Sequence, residues 1–376
     1  MPRKSDNHDW EKFLGRRRIE GDSLRVQAAH EGKTILLTGA GGSIGSALAM
    51  RIAASGPRLV LLLENCEQNL YQIHTELNRL AYGAPFISIL GDIADRPLLD
   101  VIFAQHHPEI VYHAAAFKHV PLMEANPLAA IRNNALGAYA LAQAAGHYGA
   151  EELIMISTDK AVDPQSVMGV SKRLAELVLV ALSNENTRMN SIRLGNVLGS
   201  QGSVGLLFLQ QISRGGPVTV THPDVRRYFL TLEETLGLVL AGAALDPSGG
   251  IWVPELGPPL KVLALAEHLI RNAGFVPVDD VPIAFVGLRP GDKMVEQLIS
   301  KRESTENTAV GGLHRVAGPQ LSPGDLETAV AELTEILRTR NLPALIRMLC
   351  GIVPEYQPSA GLLELSQDPQ IRTHDA

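Results

Sequence analysis

Four consecutive residues near the middle of the chain combine the side chains that acid–base chemistry needs. They are Ser157, Thr158, Asp159 and Lys160, which supply two hydroxyls, a carboxyl and an amine. Such a set can offer one substrate both a proton donor and a proton acceptor. Met168 and Lys172 follow, four residues apart and therefore on one face of a helix. We interpret residues 157–172 as a reaction centre. The alternative is a capped turn in which Lys160 is a solvated charge and Met168 is ordinary core.

The pattern on either side of this stretch predicts its place in the fold. A short apolar strand pattern, Leu153–Ile156, comes before it. An apolar helical pattern through Leu174, Leu177 and Val178 comes after it. The hydroxyls and charges are therefore expected at the carboxyl end of a strand, where open α/β sheets bind ligands.

A strand, a glycine-rich turn and a helix follow one another near the N-terminus. The strand pattern is Thr34–Thr38, and the helical pattern runs through Leu48 and Ile52. The turn between them contains Gly39, Gly42, Ser43, Ile44 and Gly45. Glycines at this spacing let the backbone turn tightly, approach a pyrophosphate and pack the helix on the sheet. The helix N-terminus adds free amides for an anion, so the segment predicts a dinucleotide site.

A second strand pattern, Leu59–Leu63, strengthens this prediction because it ends at Glu64. An acidic side chain at that position accepts the hydroxyls of an adenosine ribose. A carboxylate there would repel a 2′-phosphate, so we predict NAD as the cofactor, with NADP as the alternative. Arg58 and Lys33 are the cations that would weaken this preference.

Two further segments are predicted to line the same site. Asp92 and Ile93 follow the strand pattern Phe86–Leu90 and lie either against an adenine ring or, for Asp92, in a simple Asx turn. The strand pattern Ile110–Tyr112 leads into small residues that let the backbone pass close to a cofactor. These small residues are Ala114, Ala115 and Ala116, with the charged Lys118 and His119 just beyond them.

The second half of the chain is expected to bind the substrate. After the strand pattern Asn190–Leu194 a glycine-rich loop interrupts the alternation of strands and helices. Arg226 and Arg227 beyond it are either a clamp for a diphosphate or partners in surface salt bridges. The charged turn from Arg289 to Lys293 is predicted to open a helix and to grip a ribose or phosphate.

These patterns predict an α/β protein with a Rossmann-type doubly wound parallel sheet and a smaller α/β substrate-binding domain. The expected divisions are an N-terminal extension (1–32), an NAD(P)-binding domain (33–195 plus about 229–252), a substrate-binding domain (196–228 plus about 253–302) and a C-terminal extension (303–376). Trp10, Phe13 and Leu14 are expected to dock the first segment on the body. The last is expected to contain one amphipathic helix, Leu326–Leu337, and a polar end.

Composition narrows the classes of function. The chain has 376 residues, of which 45% are hydrophobic and 19% charged, so it can bury a large core. A net charge of -7 argues against a nucleic-acid partner. The two cysteines, Cys66 and Cys350, predict neither a disulfide framework nor a metal site and fit a cytoplasmic protein. Apolar runs such as Leu236–Leu245 are about half a membrane span, so no span is predicted.

Taken together, the motifs resemble those of the extended short-chain dehydrogenase/reductases over roughly residues 12–300. Within that family the chain looks like the nucleotide-sugar 4,6-dehydratases of bacterial polysaccharide biosynthesis, and most like the UDP-N-acetylglucosamine branch. The matching segments are Thr38–Gly45, His113–Pro121, Ser157–Val162, Met168–Arg173, Thr221–Asp224, Arg227–Phe229 and Leu288–Lys293, in the family's order. Met168 replaces the catalytic tyrosine, as in some members of the branch, and Asp292 stands where glutamate is usual. The match is to the soluble catalytic part of relatives that are often membrane-anchored.

The resemblance implies an NAD-dependent lyase that converts a UDP-hexosamine to a 4-keto-6-deoxy sugar. Oxidation at C4 comes first, because only a C4 ketone makes the C5 proton removable, and the hydride finally returns to C6. Lys160 is then the C5 base, which requires a lowered pKa with burial and Lys172 as the available causes. Asp159 is the C6 acid and must be kept protonated by burial.

The remaining roles also follow from the resemblance. Lys172 is expected to hold the nicotinamide ribose, and Thr158 can only relay a proton. Asp159, Lys160 or a water is left as the acceptor of the C4 hydroxyl proton. The UDP-sugar is assigned to Lys118, His119, Asn133, Asn196, Arg227, Arg289 and Asp292. Asn133 and its neighbour Asn134 are otherwise polar surface.

Two rival functions remain at this point. One is a UDP-sugar 4- or 5-epimerase on the same scaffold, which would use NAD and Lys160 but eliminate no water. The other is a non-catalytic, cofactor-binding regulator that lost its chemistry with the tyrosine. A homo-oligomer is expected in either case.

Overall fold

A nine-stranded sheet lies at the centre of the computed structural model, which describes residues 10–19, 23–80, 83–245, 249–307 and 312–367. The described residues form fifteen strands, nine in this sheet and six in three two-stranded sheets. They are β1 (Thr34–Thr38), β2 (Leu59–Glu64), β3 (Phe86–Leu90), β4 (Ile110–His113), β5 (Glu152–Thr158), β6 (Arg188–Leu194), β7 (Asn196–Val197), β8 (Val218–Val220), β9 (Arg226–Arg227), β10 (Phe229–Leu230), β11 (Gly250–Pro254), β12 (Leu260–Lys261), β13 (Ile283–Phe285), β14 (Ser304–Asn307) and β15 (Leu313–Ala317).

Helices cover both faces of this sheet. They are α1 (Trp10–Leu14), α2 (Ser23–His30), α3 (Ser43–Ala53), α4 (Glu67–Leu80), α5 (Arg96–His106), α6 (Val120–Ala125), α7 (Pro127–Ala130), α8 (Gly137–Tyr148), α9 (Val167–Leu182), α10 (Val204–Ile212), α11 (Leu232–Ala241), α12 (Val262–Asn272), α13 (Pro323–Arg338), α14 (Leu342–Ile352) and α15 (Ala360–Gln367). A π-helical turn, Ile131–Leu136, joins α7 to α8, and a 3₁₀ turn, Asp159–Ala161, follows β5.

The strand order confirms the predicted doubly wound sheet. It runs β14-β15-β11-β6-β5-β4-β1-β2-β3, and the pairs from β11 to β3 are parallel. The order reverses between β1 and β4, and such a switch point is where open α/β sheets bind ligands. The predicted strands of this half all form, within a few residues of the expected ends.

Two apolar layers explain why these strands are continuous hydrophobic runs. Ile35 and Leu37 of β1 pack with α3, α4 and α11 on one face, whereas Leu36 packs with α5, α8 and α9 on the other. All five residues of β1 are buried. A parallel sheet covered on both faces needs apolar residues at every position, so its strands do not alternate.

The smaller apolar cluster lies around α10, α12 and β8, with β13 paired in parallel to β8. Leu14 is buried in this cluster, and the rings of Trp10 and Phe13 pack on His268 of α12. The expectation that these three residues dock the N-terminal segment is therefore confirmed. The exact limits of the two domains stay a prediction.

The C-terminal region is more ordered than the sequence predicted. The expected helix Leu326–Leu337 is confirmed as α13, but α14 and α15 follow it, and β14 and β15 extend the sheet antiparallel. Leu333, Leu345 and Leu349 from α13 and α14 pack in one cluster with Met168 and Leu174 of α9. The prediction of a polar end is wrong for residues 342–367, because their apolar side chains cover α9.

The turn from Arg289 to Lys293 also differs from expectation, since residues 286–303 form no helix. Arg289 donates to Asp292 within the turn, at 2.9 Å from Nε to Oδ2. Lys293 Nζ turns inward and donates to the carbonyl of Val162. These contacts anchor the segment through side chains instead of a helical backbone. Within the described ranges no helix is both long and apolar enough to cross a bilayer.

Candidate active site

Two glycines of the glycine-rich turn lie where the neighbouring backbone leaves no space for a side chain. Gly39 has a φ of 68°, and a Cβ there would lie 2.6 Å from the amide nitrogen of Ala115. A Cβ on Gly45 would lie 1.9 Å from the Gly39 carbonyl oxygen. Both positions therefore exclude any side chain. The turn thus packs directly against the small residues after β4.

A cavity lies at this turn, which we call the glycine-turn cavity. Its lining includes Gly39, Gly42, Glu64, Ile93, Ala114, Ala115, Ala116 and Asn133. Glu64 is 7% exposed, and its carboxylate accepts the amides of Gly41, Asn65 and Cys66 at 2.9 to 3.1 Å. The acid is thus fixed at the end of β2, at the position predicted to meet a ribose. Asn133, predicted to touch the substrate, lies in this cavity.

Two cations predicted to weaken the preference for NAD lie at the opposite end of the sheet. Arg58 precedes β2 and bonds Thr34 and Glu109, and Lys33 also pairs with Glu109. Glu64 is the last residue of β2, so the strand length of roughly 20 Å separates it from both cations. They do not offset its charge.

Asp92 adopts the simpler of its two predicted roles. Its Oδ1 accepts the amide of Ala94 at 2.9 Å, which is an Asx-type turn, and Oδ2 lies 3.2 Å from Nη1 of Arg132. Ile93 is buried and faces the glycine-turn cavity, so the apolar half of the predicted pair is positioned there.

A second cavity, which we call the lysine cavity, adjoins the first and shares Ala114, Ala116 and Phe117 with it. Predicted residues that line it are Ile44, Lys118, His119, Thr158, Lys160, Met168, Lys172 and Asn196. The fold therefore brings the end of β5, the start of α9 and the loop after β6 to one place. The two cavities form a continuous surface across the switch point of the sheet.

Lys160 lines the lysine cavity and forms a buried ion pair with Asp159, which is not among the residues that line this cavity. Lys160 Nζ lies 2.9 Å from Asp159 Oδ1 and 3.2 Å from Asn196 Oδ1. The Asp159 side chain is fully buried, and among the described residues its Oδ2 has no hydrogen-bond partner. Lys160 is 21% exposed, so it is not the solvated charge of the alternative interpretation.

The pKa of Lys160 contradicts the expected direction. Burial lowers this pKa, but the charges of Asp159 and Glu296 outweigh burial and the Arg227 guanidinium, so the pKa is raised above its usual value. Lys172 was expected to supply a depressing charge, and it is not among the causes. In this state Lys160 is a proton donor.

Lys172 has the depressed pKa instead. Burial lowers the pKa of its amine to about 8 against the opposing charge of Glu176. Within the described part of the chain its amine has no hydrogen bond or ion pair, although it is 4% exposed and faces the lysine cavity. A buried amine without a partner is costly.

Thr158 and Met168 line the lysine cavity together with Lys160. Thr158 Oγ1 donates to Asp159 Oδ1 at 2.9 Å, which links the cavity to the buried carboxyl. Met168 is 4% exposed and belongs to the apolar cluster beneath α9, yet it also faces the cavity. Met168 is therefore a core residue on one side and a cavity residue on the other, so the interpretation as ordinary core is incomplete.

The loop after β7 crosses the cavity. The carbonyl oxygen of Gln201 accepts from Lys118 Nζ at 2.8 Å, and the amide of Gln201 donates to Ser43 Oγ at 2.9 Å. Burial lowers the pKa of Lys118, and burial together with Lys118 lowers the pKa of His119. The backbone of one residue thus connects a predicted substrate residue with a predicted cofactor residue.

The two adjacent arginines do not form the expected clamp. They occupy successive positions of β9, where side chains point to opposite faces. Arg227 is 7% exposed and its Nε lies 3.7 Å from Glu296 Oε1, whereas Arg226 reaches the Pro259 carbonyl. Only Arg227 is directed towards Lys160. Arg289 and Asp292 pair with each other and are not among the residues that line the lysine cavity.

Two buried groups at the site were missed by sequence reasoning. Glu296 is 2% exposed and lies 3.6 Å from Lys160 Nζ. Glu176 accepts from Ser157 Oγ at 2.6 Å and from Arg193, so the first hydroxyl of the reactive stretch is structural. An acid three residues after Lys293 was the only available signal for Glu296.

A protein-family model described as "Polysaccharide biosynthesis protein" matches residues 35–317. The chain belongs to this family. The match and the order of motifs confirm the resemblance to extended short-chain dehydrogenase/reductases.

Two curated relatives are similar in sequence to this chain and carry different names. Probable polysaccharide biosynthesis protein EpsC of Bacillus subtilis (strain 168) is 44% identical over 295 residues, 78% of this chain and 49% of that protein. The chain thus spans about half the length of the curated relative. UDP-glucose 4-epimerase of Rickettsia prowazekii (strain Madrid E) is 32% identical, over 76% of this chain and 82% of that one.

A solved structure shows the shared fold. DesIV, a dTDP-glucose 4,6-dehydratase from Streptomyces venezuelae with NAD bound, superposes with a TM-score of 0.62 at 20% identity, over 80% of this chain and 97% of that one. The family member described here therefore shares its Rossmann-type fold with this dehydratase.

Proposed function

We propose that the protein is an NAD-dependent 4,6-dehydratase of UDP-N-acetylglucosamine or a related UDP-hexosamine. One observation carries the proposal. The amine of Lys160, which lines the lysine cavity together with Lys172, lies 2.9 Å from the buried carboxyl of Asp159. Acid–base chemistry at two neighbouring carbons needs such a pair, and the adjoining glycine-turn cavity suits a dinucleotide.

The residues present fit NAD. Gly39 and Gly42 line the glycine-turn cavity without side chains, Glu64 offers a fixed carboxylate to a ribose, and Lys172 offers a buried amine to the other ribose. Bound NAD would take up the C4 hydride and give it back at C6, which leaves the cofactor unchanged overall. We expect NAD to bind at least about tenfold more tightly than NADP because Glu64 would repel the 2′-phosphate. Fluorescence titration with NADH and NADPH measures the ratio, and equal affinities would contradict this assignment.

Lys160 is assigned as the C5 base and Asp159 as the C6 acid. The raised pKa of Lys160 keeps its amine charged at rest, the reverse of what a base needs. Transfer of that proton along the 2.9 Å hydrogen bond to Asp159 gives a neutral amine and a carboxylic acid, and the total charge of the pair does not change. The neutral amine can then accept the C5 proton, and Asp159 can protonate the leaving C6 hydroxyl.

Thr158 is assigned as the relay for the C4 hydroxyl proton. Its hydroxyl faces the cavity, and because Asp159 already holds the proton from Lys160, a proton that Thr158 accepts from the sugar passes on to a water in the cavity. Met168 cannot accept a proton. Lys118, His119, Asn196 and Arg227 remain the predicted contacts of the nucleotide sugar, with Arg289 and Asp292 in the nearby turn. A homo-oligomer and a cytoplasmic location remain predictions.

Incubation of the purified protein with NAD and UDP-N-acetylglucosamine, followed by proton NMR of the sugar, tests the proposal. We expect a new C6 methyl signal, which only loss of the C6 hydroxyl can produce. A C4 or C5 epimer with an intact C6 hydroxymethyl would establish the epimerase, which the Rickettsia relative favours. Absence of turnover with several UDP-hexosamines at saturating NAD would favour the non-catalytic alternative.

A further inference from the structure

Glu296 is a buried carboxylate that the proposed chemistry does not use. Its Oε1 lies 3.6 Å from Lys160 Nζ and 3.7 Å from Arg227 Nε, and its Oε2 lies 3.7 Å from Lys293 Nζ. Within the ranges that the structure describes, Oε2 has no hydrogen-bond partner although the residue is 2% exposed. A buried carboxylate normally has close hydrogen bonds, so this one is held by charge in an incompletely satisfied site.

The amine of Lys160 has three donors when it is protonated. Asp159 Oδ1 at 2.9 Å and Asn196 Oδ1 at 3.2 Å accept two of them, and Glu296 Oε1 is the next acceptor at 3.6 Å. We propose that Glu296 is a positioning residue for Lys160 that fixes the direction of the amine at the cavity wall and keeps it protonated before substrate binds.

The charges around Lys160 come from several segments of the chain. Asp159 precedes it, Arg227 lies on β9, and Glu296 and Lys293 lie on the irregular segment after β13. Burial lowers the pKa of Lys160, and the two carboxylates raise it against Arg227. Burial also lowers the pKa of Lys293, against the charges of Glu296, Asp159 and Asp163.

Without the Glu296 charge, Asp159 alone would raise the pKa of Lys160 against burial and the cations Arg227 and Lys293. The pKa of Lys160 should then fall. The catalytic meaning of this shift rests on the proposed function, in which Lys160 must become neutral to act as the C5 base. Glu296 would thus make the resting enzyme a poor base until proton transfer to Asp159 occurs.

The test is a titration of the Lys160 amine in the full chain with NAD added. Lysine labelled with ¹³C at the ε carbon gives the signal, and a Lys160→Met sample identifies the resonance. Glu296→Gln keeps the size of the side chain and removes its charge. We expect its titration midpoint to lie at least about one pH unit below that of the wild type. Equal midpoints in two folded proteins would overturn the proposal.

Glu303→Gln is the matched control, because Glu303 is another buried acid of the same segment but pairs with Arg193 and Arg173. It should leave the Lys160 midpoint unchanged, and a shift as large as that of Glu296→Gln would overturn a specific role. If Glu296→Gln does not fold, Glu296→Asp replaces it. The shorter side chain withdraws the charge, so a smaller fall is expected, and no fall would count against the proposal.

Kinetics separate this proposal from the proposed function. If a C6 methyl sugar forms, the limb of the kcat/KM profile that reports Lys160 should move to lower pH in Glu296→Gln, with KM changed less than about threefold. A lowered midpoint without any product in wild type would uphold the positioning role and reject the dehydratase. Formation of the product with an unchanged Lys160 midpoint would support the dehydratase and reject the positioning role.

Discussion

Two buried charge clusters lie close together in this molecule and differ in how well their polar atoms are satisfied. The Arg193 cluster consists of Arg173, Glu176, Arg193 and Glu303, and the Lys160 cluster consists of Asp159, Lys160, Arg227, Lys293 and Glu296. Both oxygens of Glu176 and both of Glu303 accept hydrogen bonds, most of them from Arg193 at 2.8 to 2.9 Å. In the Lys160 cluster, Asp159 Oδ2 and Glu296 Oε2 accept none from the described residues.

The difference distinguishes structural charge from charge available for chemistry. A fully bonded cluster fixes the positions of β6, α9 and the segment before β14, and leaves nothing for a ligand. A cluster with unsatisfied buried oxygens beside a cavity makes the folded state less stable, and contacts with a substrate or a proton transfer can offset that loss of free energy. The Lys160 cluster is therefore the place where variants should change activity more than stability.

The largest effect is expected for Lys160→Ala. Removal of the proposed base should lower the rate of C6 methyl formation by about 10²- to 10⁴-fold, because one positioned proton transfer contributes that much. NMR of the product against time measures it. Lys261→Ala is the control, since that lysine is 40% exposed and pairs with Asp224. Near-normal turnover of Lys160→Ala would remove the base assignment.

Glu176→Gln should act on stability instead. It leaves Arg193 buried with fewer charged partners, and breaking one side of a buried ion pair costs about 3–5 kcal/mol. Urea unfolding at pH 7 measures the free energy. The Lys160 midpoint should not move in this variant, and a variant as stable as wild type would contradict the structural role of the Arg193 cluster.

The same variant should make the protein less sensitive to acid. Burial raises the pKa of Glu176, but the two arginines and Ser157 outweigh it and hold the pKa at about 2, below the ordinary value of 4.5. The carboxylate therefore stabilises the fold above pH 4.5, and this contribution is lost as the pH falls towards 2. The gap in unfolding free energy between wild type and Glu176→Gln should narrow over that range. A constant gap would contradict the sign of this shift.

The smallest effect is expected for Met168→Tyr. The side chain lies partly in the lysine cavity, so a ring has space that a closed core would not give. We expect the unfolding free energy to change by less than about 2 kcal/mol. Thermal unfolding followed by circular dichroism measures the change, and Met168→Ala provides the comparison for lost packing. Failure of Met168→Tyr to fold would mean that the position belongs to the core alone.

Sequence patterns predicted the parallel half of the sheet well because its strands are buried on both faces. The run Thr34–Thr38 has only one physical interpretation when a glycine-rich turn follows it. The strand Ser304–Asn307 is polar and lies at the sheet edge, so it has no comparable signal. The helices after Arg338 were missed because their apolar faces are explained only by their contact with α9.

The chemistry of the site was predicted less completely than its location. Lys160, Lys172 and Thr158 were brought together as expected, because their spacing and the end of a strand determine where they lie. The pKa of Lys160 was predicted in the wrong direction because the charges of the neighbouring Asp159 and of Glu296, which is distant in sequence, outweigh burial. Arg226 and Arg227 were treated as a pair although adjacent strand residues point to opposite faces.

The packing of α13, α14 and the following segment on α9 makes the working unit longer than the region shared across the family. The matched region ends at residue 317, yet Gln357 donates its amide to the Pro164 carbonyl and Glu355 lies 3.4 Å from Arg173. The C-terminal segment thus contacts the loop between Lys160 and Met168 and stabilises its position. A chimera that joins residues up to 317 to the C-terminal tail of another family member would replace these contacts with different ones. Truncation at residue 317 would remove them, so either change would alter the reactive loop.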